Sequence, residues 1–271
     1  MKMLLTGKPR SGKTTLLQTL IEEISFKRGL VAMEVRKAGE RVGFNLQDNS
    51  GRKAPLARTS KATEYPVGRY FVDIASFDAF IEPLFEYKTK QLLYIDEIGH
   101  MQLFSEKFQH LAKEYLESEN DFIGTISYVY EHPFISDVRG REDILLCTVT
   151  PENRDSLEQA LRAALGHRKQ FEELSGTQRN AALRLAQKYL EDDSLISLRK
   201  LFNNAVLYVV EGRIEKVSDN EYRIQGNHDE HTVLANDSGY SCDCNLFNGR
   251  RQFEGKEDEC SHIQAVEILS N

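Results

Sequence analysis

Residues Gly7-Lys8-Pro9-Arg10-Ser11-Gly12-Lys13-Thr14 fit G-x-x-x-x-G-K-[ST], and no other stretch restricts the fold of this chain so tightly. The pattern carries meaning only where a strand feeds a glycine-rich turn that opens at once into a helix. Both flanks meet that condition. Lys2–Thr6 reads as a short apolar strand. In Thr14–Ile24, Leu17, Leu20, Ile21 and Ile24 return at three- and four-residue spacings as one apolar stripe. Glycines let backbone N–H groups close around phosphate, and the helix amino terminus adds favourable partial charge. Lys13 is expected to reach the β- and γ-phosphates of a nucleotide, with the Thr14 hydroxyl on Mg²⁺. Gly7 through Thr15 form the candidate phosphate cradle.

The rest of the first 165 residues alternates between short apolar runs and helical patterns. Strands are expected at Leu30–Val35, Val42–Asp48, Arg69–Ala75, Leu92–Asp96, Phe122–Ser127 and Ile144–Val149. Several are nearly continuous apolar runs, as in strands covered on both faces. The polar stretch Gly39–Tyr65 is expected to hold a β-hairpin and exposed loops. Thr150 reads as a helix cap, with Pro151 in the first turn. This alternation marks an α/β domain with a mostly parallel sheet. Beyond it, Ser175–Asn204 reads as two helices broken near Asp192-Asp193-Ser194. Short strands follow at Ala205–Val210, Arg213–Val217, Glu221–Gln225 and Thr232–Ala235, and a last helix at His262–Leu269. The expected organisation is a P-loop domain over 1–166, a helical connector over 167–204 and a small α+β module over 205–271.

Leu92-Leu93-Tyr94-Ile95-Asp96-Glu97 supplies what a phosphate loop needs beside it, a buried strand ending in two carboxylates. Asp96 is expected to hold Mg²⁺ through water, and Glu97 to orient and deprotonate an attacking water. Arg10, Arg36 and Arg139 are candidates to neutralise charge on a transferring phosphoryl group, with solvated surface arginines as the alternative. His132 before Pro133 reads as a loop constraint.

Gly7–Thr15 with Leu16, Glu34-Val35-Arg36, Arg41-Val42-Gly43-Phe44, Val67-Gly68-Arg69-Tyr70, Ile95-Asp96-Glu97-Ile98-Gly99, Phe104-Ser105, His132-Pro133-Phe134 and Thr148–Asp155 occur in an order and spacing with a known counterpart. Together they resemble the thermophilic-type, or cancer-related, nucleoside triphosphatases over roughly the first 165 residues. The resemblance implies a RecA-like P-loop fold and slow, Mg²⁺-dependent hydrolysis of several nucleoside triphosphates to diphosphate and phosphate. The chain departs from the family pattern at Arg10, where a small residue is frequent, and at His100 and Gln102, where Lys and Glu are usual.

Four cysteines are few, yet Cys242, Cys244 and Cys260 lie close together in sequence. With His262 they form C-x-C and C-x-H pairs, a donor set that suits tetrahedral Zn²⁺ in a closed structural site. The intervening loop, including Asn248-Gly249, is expected to bring the pairs together. Cys147, in an apolar strand, reads as a small core residue, and His228 and His231 as surface histidines. The pattern resembles a SWIM zinc finger over about Ala205–Leu269, which implies binding of DNA or protein partners.

Charge bears on that implication. The chain holds 35 Lys and Arg against 42 Asp and Glu, a net −7. After Gly166 the counts are 13 and 18, so most of the negative charge lies in the part whose likeness suggests nucleic acid. A phosphate backbone repels such a module unless its basic residues share a face. Arg250-Arg251 is a candidate start for that face, with Glu257-Asp258-Glu259 close by. No apolar run approaches the ~20 residues of a membrane span, and Met1–Gly7 is too short for a signal peptide, so a cytoplasmic protein without a membrane partner is expected. Three readings therefore stand: a triphosphatase with a zinc-stapled recognition module; a kinase acting on a nucleoside, nucleotide or nucleic-acid end; and a nucleotide-switched adaptor for DNA or protein.

Overall fold

The computed structural model describes residues 1–237, 239–244 and 259–270. Asn248-Gly249, Arg250-Arg251 and Glu257-Asp258 lie outside the described residues. The chain divides into two compact units, residues 1–154 and 155–271.

The first unit is built on one sheet. Its strands are β1 (Lys2–Thr6), β2 (Lys27–Lys37), β3 (Glu40–Asp48), β4 (Lys53–Arg58), β5 (Pro66–Val67), β6 (Tyr70–Val72), β7 (Leu92–Ile98), β8 (Phe122–Ile126) and β9 (Ile144–Thr148). They lie in the order β5-β6-β4-β3-β2-β7-β8-β1-β9. Strands β2, β7, β8, β1 and β9 pair in parallel. The hairpin β3–β4 and the short strands β5 and β6 extend the β2 edge antiparallel. Every residue of β1 and β8 is buried, which is why neither shows the apolar–polar alternation of a half-exposed strand.

Helices α1 (Lys13–Glu22), α2 (Ile74–Ile81), α3 (Glu106–Glu117) and α4 (Pro133–Arg139) complete this unit. Leu16, Leu17, Leu20 and Ile21 form the buried stripe of α1. Phe108, Leu111, Ala112, Tyr115 and Leu116 do the same for α3, whose start Ser105 caps by accepting from Phe108 N at 2.9 Å. At about 1.5–3 kcal/mol per large apolar side chain, these stripes fix the helices against the sheet more firmly than intrinsic propensity does. The Arg69–Ala75 run divides: Tyr70–Val72 is the strand, and Asp73 then accepts from Ser76 N at 3.1 Å to start α2. Cys147 is fully buried, as a core residue would be.

The second unit holds α5 (Arg154–Gly166, beginning at the last residue of the first unit), α6 (Arg168–Glu173), α7 (Gly176–Glu191), α8 (Leu195–Lys200) and α9 (Val206–Val210). An antiparallel meander follows: β10 (Ile214–Lys216), β11 (Glu221–Gln225), β12 (Glu230–Asn236) and β13 (Gly239–Cys242). Helix α10 (Ser261–Leu269) packs on α7, α9, β12 and β13. Thr150 caps the turn that opens α5: Asn153 N donates to Thr150 Oγ1 at 3.2 Å, Thr150 N donates to Asn153 Oδ1 at 2.9 Å, and Arg154 N donates to the Thr150 carbonyl at 3.2 Å, with Pro151 in the first turn.

The expected strand Ala205–Val210 is a helix. Its β-branched residues favour a strand locally, yet Leu198, Leu201, Phe202, Ala205 and Val206 continue a three- and four-residue spacing of buried positions out of α8. A single π-helical turn at Leu201–Ala205 carries α8 into α9. Burial of that stripe overrides local preference.

Candidate active site and metal-ligating cluster

Parallel pairing sets the first site. Leu4 of β1 and Ile95 of β7 both pair with Gly124 of β8, and Leu5 pairs with Thr125. Asp96 and Thr125 lie one residue beyond that row and Thr6 two, so the carboxyl ends of these strands carry all three, where open α/β sheets bind their ligands. The phosphate loop leaves β1 at this row. Gly7 holds φ +144°, and a Cβ there would stand 2.3 Å from the Val149 carbonyl oxygen, so only glycine fits the turn. Lys13 Nζ reaches back across the loop to the carbonyls of Gly7 at 2.8 Å and Lys8 at 3.1 Å. Ser11 Oγ and Thr6 Oγ1 are buried with no hydrogen-bond partner. Orphaned hydroxyls beside a loop of backbone donors are what a phosphate-binding cradle presents.

The carboxylates lie beside the loop. Asp96 is 2% exposed and accepts from Thr125 Oγ1 at 2.5 Å and from Thr14 Oγ1 at 3.2 Å, both on Oδ1. Burial raises its pKa, against the hydrogen bonds from Thr125 and Thr14 and the charge of Lys13. Glu97 is half-buried; burial first and the neighbouring Asp96 second push it up to about 7. Gly99 leaves room for its carboxylate, since a Cβ there would come within 3.1 Å of Glu97 Oε1. The oxygen donors of Thr14 and Asp96, already in contact, suit a hard divalent cation such as Mg²⁺.

A cleft of about 710 Å³ opens next to these groups, with Thr14, Asp96 and Glu97 in its wall. The candidate arginines are placed differently from one another. Arg10 is exposed in the loop at φ +70°. Arg36 donates to Glu34 Oε2 at 2.6 Å and to the Gly39 carbonyl at 3.1 Å, so it reaches the cleft only through Glu34. Arg139 donates to the carbonyl of Ser127, itself a cleft residue. His132 caps α4 by accepting from Phe134 N at 3.2 Å, the loop role expected of it.

Thr125 is a site residue that the linear pattern does not single out; a lone polar side chain in a buried strand was its one signal. Arg154, within the Thr148–Asp155 motif, lies beside the phosphate loop, with Cδ 3.1 Å from where a Cβ on Gly12 would stand.

The second cluster lies in the other unit. Cys242 ends β13, Cys260 is the residue before α10, and His262 lies in its first turn. These three and Cys244 are all buried, and their donor atoms lie within 4.8 Å of one another. Cys242 Sγ and His262 Nδ1 are 3.7 Å apart. A tetrahedral zinc site with Zn–S of ~2.3 Å and Zn–N of ~2.0 Å separates its donors by about 3.5–3.8 Å, so the set is compatible with a small zinc module. His231 is not a plain surface histidine: its ring centroid lies 4.3 Å from that of His262, and Nδ1 is 3.2 Å from Asp243 Oδ1.

A strand–loop–helix phosphate cradle beside a buried Asp–Glu strand end defines a P-loop nucleotide enzyme. The family model described as NTPase matches residues 2–161, and the chain belongs to that family. It is similar to the nucleoside-triphosphatase THEP1 of Thermotoga sp. strain RQ2, 35% identical over 159 residues, covering 58% of this chain and 91% of that protein. The human cancer-related nucleoside-triphosphatase is 33% identical over 171 residues, covering 56% and 90%. The crystal structure of THEP1 from Aquifex aeolicus superposes with a TM-score of 0.55 at 30% identity, covering 59% of this chain and 96% of that one. Among the described residues, no helix is long and apolar enough to cross a membrane.

Proposed function

We propose that this chain hydrolyses nucleoside triphosphates to diphosphate and phosphate in a Mg²⁺-dependent reaction. Family membership supports the hydrolysis, and the observation that carries the residue roles is the contact of Thr14 with a buried Asp96 directly before Glu97. Backbone donors of Gly7–Thr15 and the ammonium of Lys13 hold the β- and γ-phosphates. Thr14 and Asp96 would hold Mg²⁺, which when bound supplies charge neutralisation across those phosphates. Thr125 fixes the Asp96 carboxylate. Glu97 accepts a proton from the water that attacks the γ-phosphorus, and Arg10 lies in the loop where it can meet developing charge.

The domain reading belongs to the same proposal: catalysis in residues 1–166, a connector over 167–204, and a SWIM-type module over 205–271 stapled by Zn²⁺ on Cys242, Cys244, Cys260 and His262. The net −5 after Gly166 favours a protein partner over a nucleic acid for that module. The test is phosphate release by the full chain. Equal amounts of phosphate and nucleoside diphosphate in Mg²⁺, abolished by chelation and restored by Mg²⁺, are expected. Turnover that persists without divalent cation would sink the metal assignment.

A further inference from the structure

The cleft beside Asp96 and Glu97 is far larger than hydrolysis requires. A water takes a share of about 30 Å³ in the liquid, whereas organic ligands occupy pockets of roughly 300–1,000 Å³. This one is about 710 Å³. Its position is informative too. Thr14, Asp96 and Glu97 belong to its wall, but no residue from Gly7 to Lys13 does. A P-loop places the γ-phosphate and its Mg²⁺ toward the Thr14 hydroxyl and the Asp–Glu strand end. The cleft therefore lies beyond the γ-phosphate, on the side from which an attacking oxygen must arrive.

The wall also restricts what fits. Phe44, Leu56, Val67, Met101 and Val129 make it mostly apolar, and His100 stacked on Tyr130, with centroids 3.9 Å apart and planes 14° from parallel, gives it one flat face. Among the described residues, no lysine or arginine lines it. Its ionisable acids are Asp96, Glu97 and Glu34, and Glu34 is held in its charged form by hydrogen bonds from Arg41 at 2.7 Å and Arg36 at 2.6 Å. A second phosphate placed here would leave water with no cation in contact to replace it. Gln18 and Gln102 offer neutral hydrogen bonds to hydroxyl or amide groups.

We propose that this cleft binds a flat, uncharged, hydroxyl-bearing organic molecule that accepts the γ-phosphoryl group, with water as the alternative acceptor when the cleft holds none. The proposal rests on the triphosphate site described above. In the step, the acceptor oxygen bonds to the γ-phosphorus as the bond from that phosphorus to the β,γ-bridging oxygen breaks. The hydroxyl proton passes to Glu97 and then to solvent. Nucleoside diphosphate leaves with the bond's electron pair, and the products are a phosphate monoester and a diphosphate.

The test uses the full chain, Mg²⁺ and γ-labelled triphosphate, with two probes: the neutral small-molecule fraction of a phosphatase-treated cell extract, and the anionic fraction of an untreated one. Label is expected in an organic phosphate from the neutral fraction. Val129, 69% exposed, lines the mouth. V129W narrows it with little consequence for folding, and M33W does so from β2. Each is expected to lower the ratio of organic to inorganic labelled phosphate at least tenfold. Native mass spectrometry of the chain with a non-hydrolysable triphosphate should show a neutral compound retained by the wild type and lost in V129W. Label found only in inorganic phosphate, with no retained compound, overturns the acceptor site and leaves hydrolysis standing. Transfer chiefly to the anionic fraction, or a ratio unchanged in both variants, overturns the assigned chemistry. Absence of label from both organic and inorganic phosphate removes the triphosphatase reading itself.

Discussion

At the residue scale, Asp96 is held by two hydroxyls that come from opposite sources. Thr14 belongs to the octapeptide, while Thr125 arrives from β8, and both meet Oδ1. Groups that orient a metal-holding carboxylate commonly change metal affinity by about 10–100-fold when removed. Thr125→Val keeps the shape and deletes the donor, so the Mg²⁺ concentration for half-maximal phosphate release should rise about tenfold or more. An unchanged Mg²⁺ requirement removes Thr125 from the site. Lys13, Thr14 and Asp96 were legible in the linear order because their chemistry is local to a loop and a strand end. Thr125 was not, since its pairing with Leu5 depends on which strand lies next to β1. His100 and Tyr130 were hidden for the same reason: only the folded chain stacks them in one cleft wall.

At the element scale, apolar strands and the stripes of α1 and α3 follow from periodicity. The hairpin β3–β4 follows from its polar, glycine-bearing turn. Ala205–Val210 shows the limit, because its β-branched side chains satisfy a strand pattern while their burial is helical. Helix α10 carries a further consequence. Burial, and then the Glu259 carboxylate, push Glu267 up to about 7, with Lys188 opposing. The ordinary value is 4.5, so the folded unit binds more protons than the unfolded chain between those two pH values. Its stability must then fall as pH rises from about 4.5 to 7 and change little above. Glu267→Gln removes the titration. Its melting temperature should exceed wild type at pH 8 and converge with it near pH 5. Parallel melting curves at both pH values would show that Glu267 does not titrate in this way.

At the scale of the whole molecule, the chain joins an NTPase-family unit to a second unit that the family model leaves unmatched beyond residue 161. The second unit brings Cys242 and Cys244 at the end of its meander against Cys260 and His262 at the start of α10. Zinc held by the proposed ligand set would tie strand to helix, and its removal would cost folding free energy directly. Purified protein should carry one zinc per chain. Cys244→Ser should lose it and melt at lower temperature; full zinc content in that variant contradicts the ligand set. The C-x-C and C-x-H spacing made this cluster legible without any structure, whereas the 710 Å³ cleft is assembled from residues between Thr14 and Tyr130 and had no linear signature.

Glu97 is the group proposed to take the proton of the attacking water. Loss of a general base costs about 10²–10⁴-fold in rate. In Glu97→Gln, phosphate release measured beside triphosphate affinity should fall at least ~100-fold while affinity stays within about twofold of wild type. Unchanged release, or release lost only in step with affinity, would contradict it.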